Sequence, residues 1–392
     1  MSDSTLSLQE FIEPAPFIDI ALDDDASVDK RTVLEPLSLG AEHGIQLERL
    51  HPALLRAHIA LARLLEASQS LDPQEPPLKF ILLRDIHASL QRSGTSIDID
   101  KLLSVHDESE KDSEGVASIL QAVPGLTRRT IDQGFNRQRL VEIASAFGSR
   151  ESTSSVNAGS PEGFTDPGTG SINRRTGCME LDEGQFITLL ENWHEFTEMS
   201  HRDLDTLVVS AIAFTRFWQL KPLSSNNAIA AYLMWQLLLV DAGICKFPAL
   251  ALCEQIVMKG EEHDHVLTRA IVKNDAQARE DWVLYSIDLI EQAALLSLTR
   301  IHKCRTLFQS MQQSITDAVA GQHGNALYDL LRRHPVIKIK HVVDADIAKR
   351  QTASIYLNKL VDCGLLQSRQ SGRSKSFYNH AYLEIFGWND KQ

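Results

Sequence analysis

Lys221-Pro222-Leu223-Ser224-Ser225-Asn226-Asn227 separates the two most apolar stretches of the chain. Before it, residues 203–220 carry Leu204, Leu207, Val208, Ile212 and Phe217 along one helical face. After it, residues 228–240 are apolar nearly all round, the pattern of a buried central helix. The proline and the polar run that follows stop one helix and start the next. Outward from this break, residues 183–310 read as almost continuous helix, with later segments over 249–259, 262–273, 280–294 and 297–319. No strand-helix alternation accompanies them, which excludes a doubly wound sheet and predicts a mainly α fold.

Toward the N-terminus, Leu54, Leu55, Ile59, Leu61, Ala62 and Leu65 predict a helix over 52–68. The run Asp72-Pro73-Gln74-Glu75-Pro76-Pro77 ends it, and Phe80, Leu82, Leu83, Ile86 and Leu90 open another that stops near Ser93-Gly94-Thr95. Two further helical patterns lie within 115–149. Residues 1–35, with Asp23-Asp24-Asp25, read as an extended acidic lead-in. Residues 150–175, rich in Ser, Gly, Asn and Pro, read as a mobile loop. The expected organisation is an N-terminal helical region over 36–115, a core over 116–320 and a separate domain over 325–392.

At 392 residues the chain exceeds one compact core. Its 43% hydrophobic and 23% charged residues are those of a globular protein. No apolar run approaches the ~20 residues of a membrane span, and the polar, acidic N-terminus does not resemble a secretory signal. No membrane association and a cytoplasmic location are the resulting expectations. Cys178, Cys245, Cys253, Cys304 and Cys363 show no Cys-x-x-Cys spacing, and they read as free thiols in packed helices. His263 and His265, among Glu261, Glu262 and Asp264, stand two apart and do not share a helix face. They read as a solvated helix start, and no metal site is expected.

The net charge of −13 is uneven. Residues 327–392 hold eleven Lys and Arg against six Asp and Glu, a net of +5, and the remainder carries −18. In that basic piece a helix over 327–334 and an extended Val336-Ile337-Lys338-Ile339 precede helices over 342–348 and 352–363. Two short β runs around a basic turn follow within 367–378. This is the plan of a winged helix. Its reading helix starts with Lys349, Arg350, Gln351 and Thr352, its inward face is assigned to Ile355, Leu357, Leu360 and Val361, and its wing carries Arg369, Arg373 and Lys375. Cations and amides at those places suit phosphates and base edges of duplex DNA. A packing or protein-partner role remains open beside it. So small a module binds weakly unless dimerised, which leaves a homodimer open as well.

The order of several segments resembles the Fic family, whose members transfer a nucleotide, usually AMP from ATP, to a hydroxyl of another protein. The sub-group with an N-terminal helical region and a C-terminal winged helix fits best. Arg84-Asp85-Ile86-His87-Ala88-Ser89 through Ser93-Gly94-Thr95 is similar to that group's inhibitory helix end, with Ser93 at the position of its inhibitory glutamate. Arg175-Thr176-Gly177 resembles the start of the substrate-docking flap, which implies a hairpin near 172–181 able to dock a protein segment. Leu237-Leu238-Leu239 with Gly243-Ile244, and then Trp282, match later landmarks. The resemblance spans roughly residues 36–385.

The family motif His-Pro-Phe-x-(Asp/Glu)-Gly-Asn-Gly-Arg-x-x-Arg falls on residues 221–232. Of its defined positions only Pro222 and Asn227 are kept. The general-base histidine is Lys221, and an ammonium with an ordinary pKa of ~10.4 takes no proton at neutral pH. The phenylalanine is Leu223. The magnesium-holding carboxylate is Ser225, which has no charge for a hard cation. The glycines that admit phosphate are Asn226 and Ala228, and the two clamp arginines are Ile229 and Tyr232. The resemblance with these losses implies a degenerate member without cofactor, acting by binding as a DNA-associated regulator or a protein scaffold. The alternative is an active adenylyltransferase using ATP and magnesium with a non-standard motif.

Overall fold

The structure, a computed structural model, describes residues 47–72, 75–92, 102–103, 116–147, 171–173, 178–180, 183–199, 204–220, 227–272, 275–319, 321–371 and 374–388. Four helices come first: α1 (Leu47–Ser68), α2 (Pro76–Arg92), α3 (Val116–Gln133) and α4 (Arg137–Phe147). Two three-residue strands, β1 (Ser171–Asn173) and β2 (Cys178–Glu180), pair antiparallel with Ile172 opposite Met179. Then come α5 (Glu183–Met199), α6 (Thr206–Leu220), α7 (Asn227–Asp241), α8 (Leu252–Lys259), α9 (Glu261–Val272) and α10 (Ala276–Ala318).

Helix α6 is the axis of the core, buried from Leu207 through Phe214 and again from Arg216 to Leu220. Three indole N–H groups converge on it. Trp193 donates to the Ala213 carbonyl at 2.9 Å, Trp235 to the Ser210 hydroxyl at 3.0 Å, and Trp282 to the Ala211 carbonyl at 2.9 Å. Each large apolar ring is thus buried without leaving its one polar group unpaired. The expectation of a central buried helix after the 221–227 break holds for α7, whose residues 229–240 are all buried.

Helix α10 has 43 residues where the sequence pattern predicts two helices. Leu295-Leu296, between the expected pieces, includes neither glycine nor proline, and the buried stripe runs on through Ala293, Ala294, Ser297, Ile301, Cys304, Phe308 and Met311. Nothing in that stretch breaks the backbone ladder. Asp275 caps its start by accepting from the Ala278 N–H at 2.7 Å. Helix α1 lies alongside in the same direction, tied by Arg49 to Glu280 at 2.7 Å, Arg56 to Asp288 at 2.9 Å, and Arg305 to the Ala67 carbonyl at 2.7 Å.

The C-terminal part runs α11 (Gln322–Arg333), β3 (Val336–Lys338), α12 (Ile339–Asp344), α13 (Arg350–Asp362), β4 (Gln367–Ser371), β5 (Ser374–Tyr378) and α14 (His380–Ile385). The three strands form an antiparallel sheet ordered β3-β5-β4, with Phe377 opposite both Ile337 and Ser368. A side chain at Gly324 would put its Cβ 2.2 Å from the Val319 carbonyl oxygen, so only glycine lets α11 fold back so closely on the end of α10.

Two sequence assignments are corrected here. The buried face of α13 is Ala353, Leu357 and Leu360, while Ile355 is 49% exposed and Val361 only partly buried. Cys363 is exposed, whereas Cys245, Cys253 and Cys304 are buried thiols as expected.

Helix α14 seats the C-terminal part on the body. The Phe80 ring lies 5.4 Å from Tyr382, 5.6 Å from Phe386 and 6.0 Å from Trp388, and Phe308 meets Tyr382 edge-on at 5.3 Å. Below these rings, Arg84 donates to the Phe386 carbonyl at 3.1 Å and Arg300 to the Ile385 carbonyl at 3.2 Å. Two cations thereby serve the orphan carbonyls at the end of α14. No described helix is long and apolar enough to cross a membrane.

Candidate functional site

The break between α6 and α7 is where the sequence concentrates its chemistry. Lys221, Pro222, Leu223, Ser225 and Asn226 lie outside the described residues, as do Ser93, Arg175, Thr176, Gly177 and Arg373. The described remainder begins at Asn227, the first residue of α7, with Ala228 in the same turn. Ile229 is 8% exposed and Tyr232 3%. Both stand where the resemblance places phosphate-clamping arginines, and both face the core.

Tyr232 belongs to an aromatic cluster. Its ring centroid is 5.4 Å from Phe214 and 6.3 Å from Trp218, and Phe214 lies a further 4.6 Å from Trp235 and 5.6 Å from Trp282. Burial pushes the Tyr232 phenol well above its ordinary range, with the nearby Arg92 guanidinium opposing that shift. Arg92, the last residue of α2, is paired with Asp264 of α9. The α2 end is therefore anchored over Tyr232 by an ion pair that closes on itself.

His263 corrects the sequence reading. It is fully buried, while Glu261, Glu262 and His265 of the same helix are exposed. Its ring packs 5.8 Å from Trp282 and 5.7 Å from Tyr285. Neither ring nitrogen has a hydrogen-bond partner. Burial, and then Arg92, lower its pKa to about 3, so the imidazole is neutral. The available signal was periodic: 263, 267, 270 and 271 form one helical face with Leu267, Ala270 and Ile271.

Asp85 is the second buried group that pattern reading did not place. Its carboxylate accepts from the Cys253 N–H at 2.6 Å and the Glu254 N–H at 3.3 Å, the first-turn donors of α8, and from Gln236 Nε2 at 3.0 Å. Ala251, the residue preceding α8, supplies no side-chain cap, so Asp85 caps this helix from α2. Burial, and then Glu254, push its pKa up to about 7, against the pull of the two N–H groups. Gln236 completes the link by accepting from the Leu250 N–H at 2.9 Å.

Could this region hold magnesium and a polyphosphate? Its described walls are aromatic faces, a neutral imidazole and an arginine already paired with Asp264. Among the described residues no group of three His, Cys, Asp or Glu is placed to hold a metal ion. ATP with magnesium needs backbone donors, free cations and a carboxylate, and the positions 221–226 that the resemblance assigns to that role lie outside the described residues.

The second candidate surface is α13 with the β4–β5 hairpin. Lys349, Arg350, Gln351 and Thr352 are exposed together at the start of α13, and Ile355 one turn on joins them. Arg369 is exposed, with its guanidinium 5.3 Å from the Tyr378 ring centroid. Lys375 is held inward: its ammonium donates to Asn358 Oδ1 at 2.8 Å and sits 4.9 Å from the Phe377 ring centroid. The structure thus exposes four of the seven expected residues together at the start of α13, exposes Arg369 on β4, ties Lys375 to α13, and does not describe Arg373. The expected hairpin near 172–181 corresponds to β1 and β2, with its Arg175-Thr176-Gly177 tip outside the described residues.

Comparison with known proteins bears on the same regions. Residues 307–382 match the family model "Protein adenylyltransferase SoFic-like, C-terminal domain", a match that begins within α10 and ends within α14. A solved structure of a Fic family protein from Desulfovibrio desulfuricans G20 is similar at 15% identity, covering 83% of this chain and 96% of that one, with a TM-score of 0.48. The family match thus assigns residues 307–382 a likeness to the C-terminal domain of SoFic-like protein adenylyltransferases.

Proposed function

We propose that this chain is a Fic-family protein that has lost nucleotidyl transfer and acts by binding. The observation that carries the reading is the burial of Tyr232, 3% exposed, in the Phe214–Trp218 cluster. An arginine clamp must present its cation to a polyphosphate; a tyrosine facing the core presents nothing. Lys221 in place of the base and Ser225 in place of the metal ligand point the same way. The test is a calorimetric titration of the full chain with ATP and magnesium, joined to incubation with labelled ATP and bacterial lysate. The expected result is no heat of binding and no labelled protein. Label transfer that disappears on mutating residues 221–232 overturns the reading in favour of an active enzyme with a non-standard motif.

The partner we propose is duplex DNA, bound through a C-terminal winged helix. The supporting observation is the exposed set Lys349, Arg350, Gln351, Thr352 and Arg369 on a piece carrying +5 within an otherwise −18 chain. Phosphate contacts of this kind give sequence-tolerant affinities on the order of 10⁻⁴–10⁻⁶ M that fall with salt. Fluorescence anisotropy of the full chain with a random-sequence duplex at two salt concentrations tests it. Absence of binding at low salt removes DNA as the partner.

A further inference from the structure

The exposure of Ile355 changes what α13 can recognise. The outward side of this helix is otherwise polar: Lys349, Arg350, Gln351, Thr352, Lys359 and Asp362. Ile355 stands among them at 49% exposure, four residues after Gln351, so the two side chains share one outward stripe. Four residues of helix span about 6 Å, within reach of neighbouring base pairs in a major groove. Two neighbours of the stripe are already engaged. Asn358 is held by Lys375, and the Lys359 ammonium donates to the Ala318 carbonyl at 3.2 Å. Gln351 and Ile355 are left as the reading pair, with Lys349 and Arg350 beside them as the cationic rim that fits a polyanion. Asp344 and Asp346 lie on the preceding helix and turn, and Asp362 lies about 10 Å along the axis from Ile355.

We infer that this stripe reads an A·T-containing step in the major groove. Gln351 makes the bidentate contact to adenine N6 and N7, and Ile355 packs on the thymine C5-methyl group. The chemistry is direct: a primary amide matches the donor–acceptor pair of adenine, and thymine alone offers an apolar group in that groove. The inference rests on the duplex-binding reading above and adds specificity to it.

The experiment selects duplexes from a randomised pool with the full chain. It then compares the enriched duplex with one in which thymine is replaced by uracil, which removes only the methyl group. The wild-type chain is expected to enrich an A·T step and to bind the thymine duplex about fourfold more tightly, the worth of one buried methyl-sized group. Ile355→Ala, a change at an exposed position, loses that fourfold on thymine alone and leaves the uracil duplex unaffected. Arg350→Ala weakens both duplexes equally. Binding of random duplex with no A·T enrichment, or equal affinity for thymine and uracil, overturns this inference while leaving the duplex reading in place. No binding to any duplex at low salt overturns both. An Ile355→Asp chain that then sediments as a monomer where the wild type is a dimer identifies the stripe as a contact between copies instead.

Discussion

Arg300 and Glu254 form a two-pronged ion pair in the interior, with Nη2 2.8 Å from Oε2 and the other nitrogen closing on Oε1. Their side chains are 5% and 8% exposed. The pair stands between α8 and α10, and the same guanidinium holds the end of α14 through the Ile385 carbonyl. Arg84 approaches Glu254 from the α2 side at 3.4 Å. One carboxylate therefore organises two cations that anchor the C-terminal part.

Removing Arg300 leaves the buried Glu254 with only the longer contact to Arg84 in place of its two-pronged partner, a loss of about 3 kcal/mol. Arg300→Met is expected to lower unfolding stability by that amount in urea. Adding Glu254→Leu to it should recover a large part of the loss. Equal instability of the single and double variants would show that packing, not charge, dominates here.

The pH dependence follows from two buried groups with opposite signs. Asp85 rises from 3.8 in the unfolded chain to about 7, so the folded state holds a proton that the unfolded state releases. Its contribution is fully present below pH 3.8 and is lost as pH rises toward 7. His263 falls from 6.5 to about 3, so its contribution is present above pH 6.5 and is lost as pH falls toward 3. Each slope is about 1.4 kcal/mol per pH unit, and over the shared window they oppose each other. Urea unfolding of Asp85→Asn is expected to expose the His263 slope, with stability falling as pH is lowered from 6.5 to 4. The chain with His263→Phe should expose the reverse slope. A variant with the same pH profile as wild type would remove its residue from this account.

Tyr232 is assigned a packing role, and its variants separate packing from catalysis. Tyr232→Ala removes an aromatic ring from the Phe214–Trp218 cluster and is expected to cost about 3–5 kcal/mol. Tyr232→Phe keeps the ring and should stay within about 1.5 kcal/mol of wild type, measured by the same denaturant titration. A large effect of the phenylalanine variant would mean that the hydroxyl beside Arg92 carries more of the structure than the ring.

Truncation at Asn379 takes Tyr382, Phe386 and Trp388 away from Phe80. The truncated chain is expected to show a lower melting temperature for the whole protein, not only for α11–α13, because Phe80 and Arg84 belong to α2. An unchanged melting transition by calorimetry would mean that α14 is an independent appendage.

Much of this architecture was legible in the sequence, and the failures share a cause. The α6–α7 break, the mainly α class, and the helix–strand–helix–helix–hairpin order of the C-terminal part follow from periodicity and turn residues. The apolar character of Ile355 argues for an inward position, but Ala353, Leu357 and Leu360 define the opposite face. The acidic neighbours of His263 argue for an outward position, but Leu267 and Ile271 share its face. In both, helical period decides the side chain's side and residue identity does not. Asp85 was different in kind: the two N–H groups it caps lie 168 and 169 residues away, and no local pattern announces such a partner.

Helix α10 places Trp282 near one end, beside Tyr285 and His263, and Met311 near the other, where its sulfur receives the Asn379 amide at 3.4 Å. A continuous helix of 43 residues is a rod of about 64 Å. Tilting such a rod by one degree about one end displaces the other by about 1 Å. The aromatic cluster and the seat of α14 therefore lie on a single lever, and a small rotation at the cluster is magnified where the C-terminal part is attached.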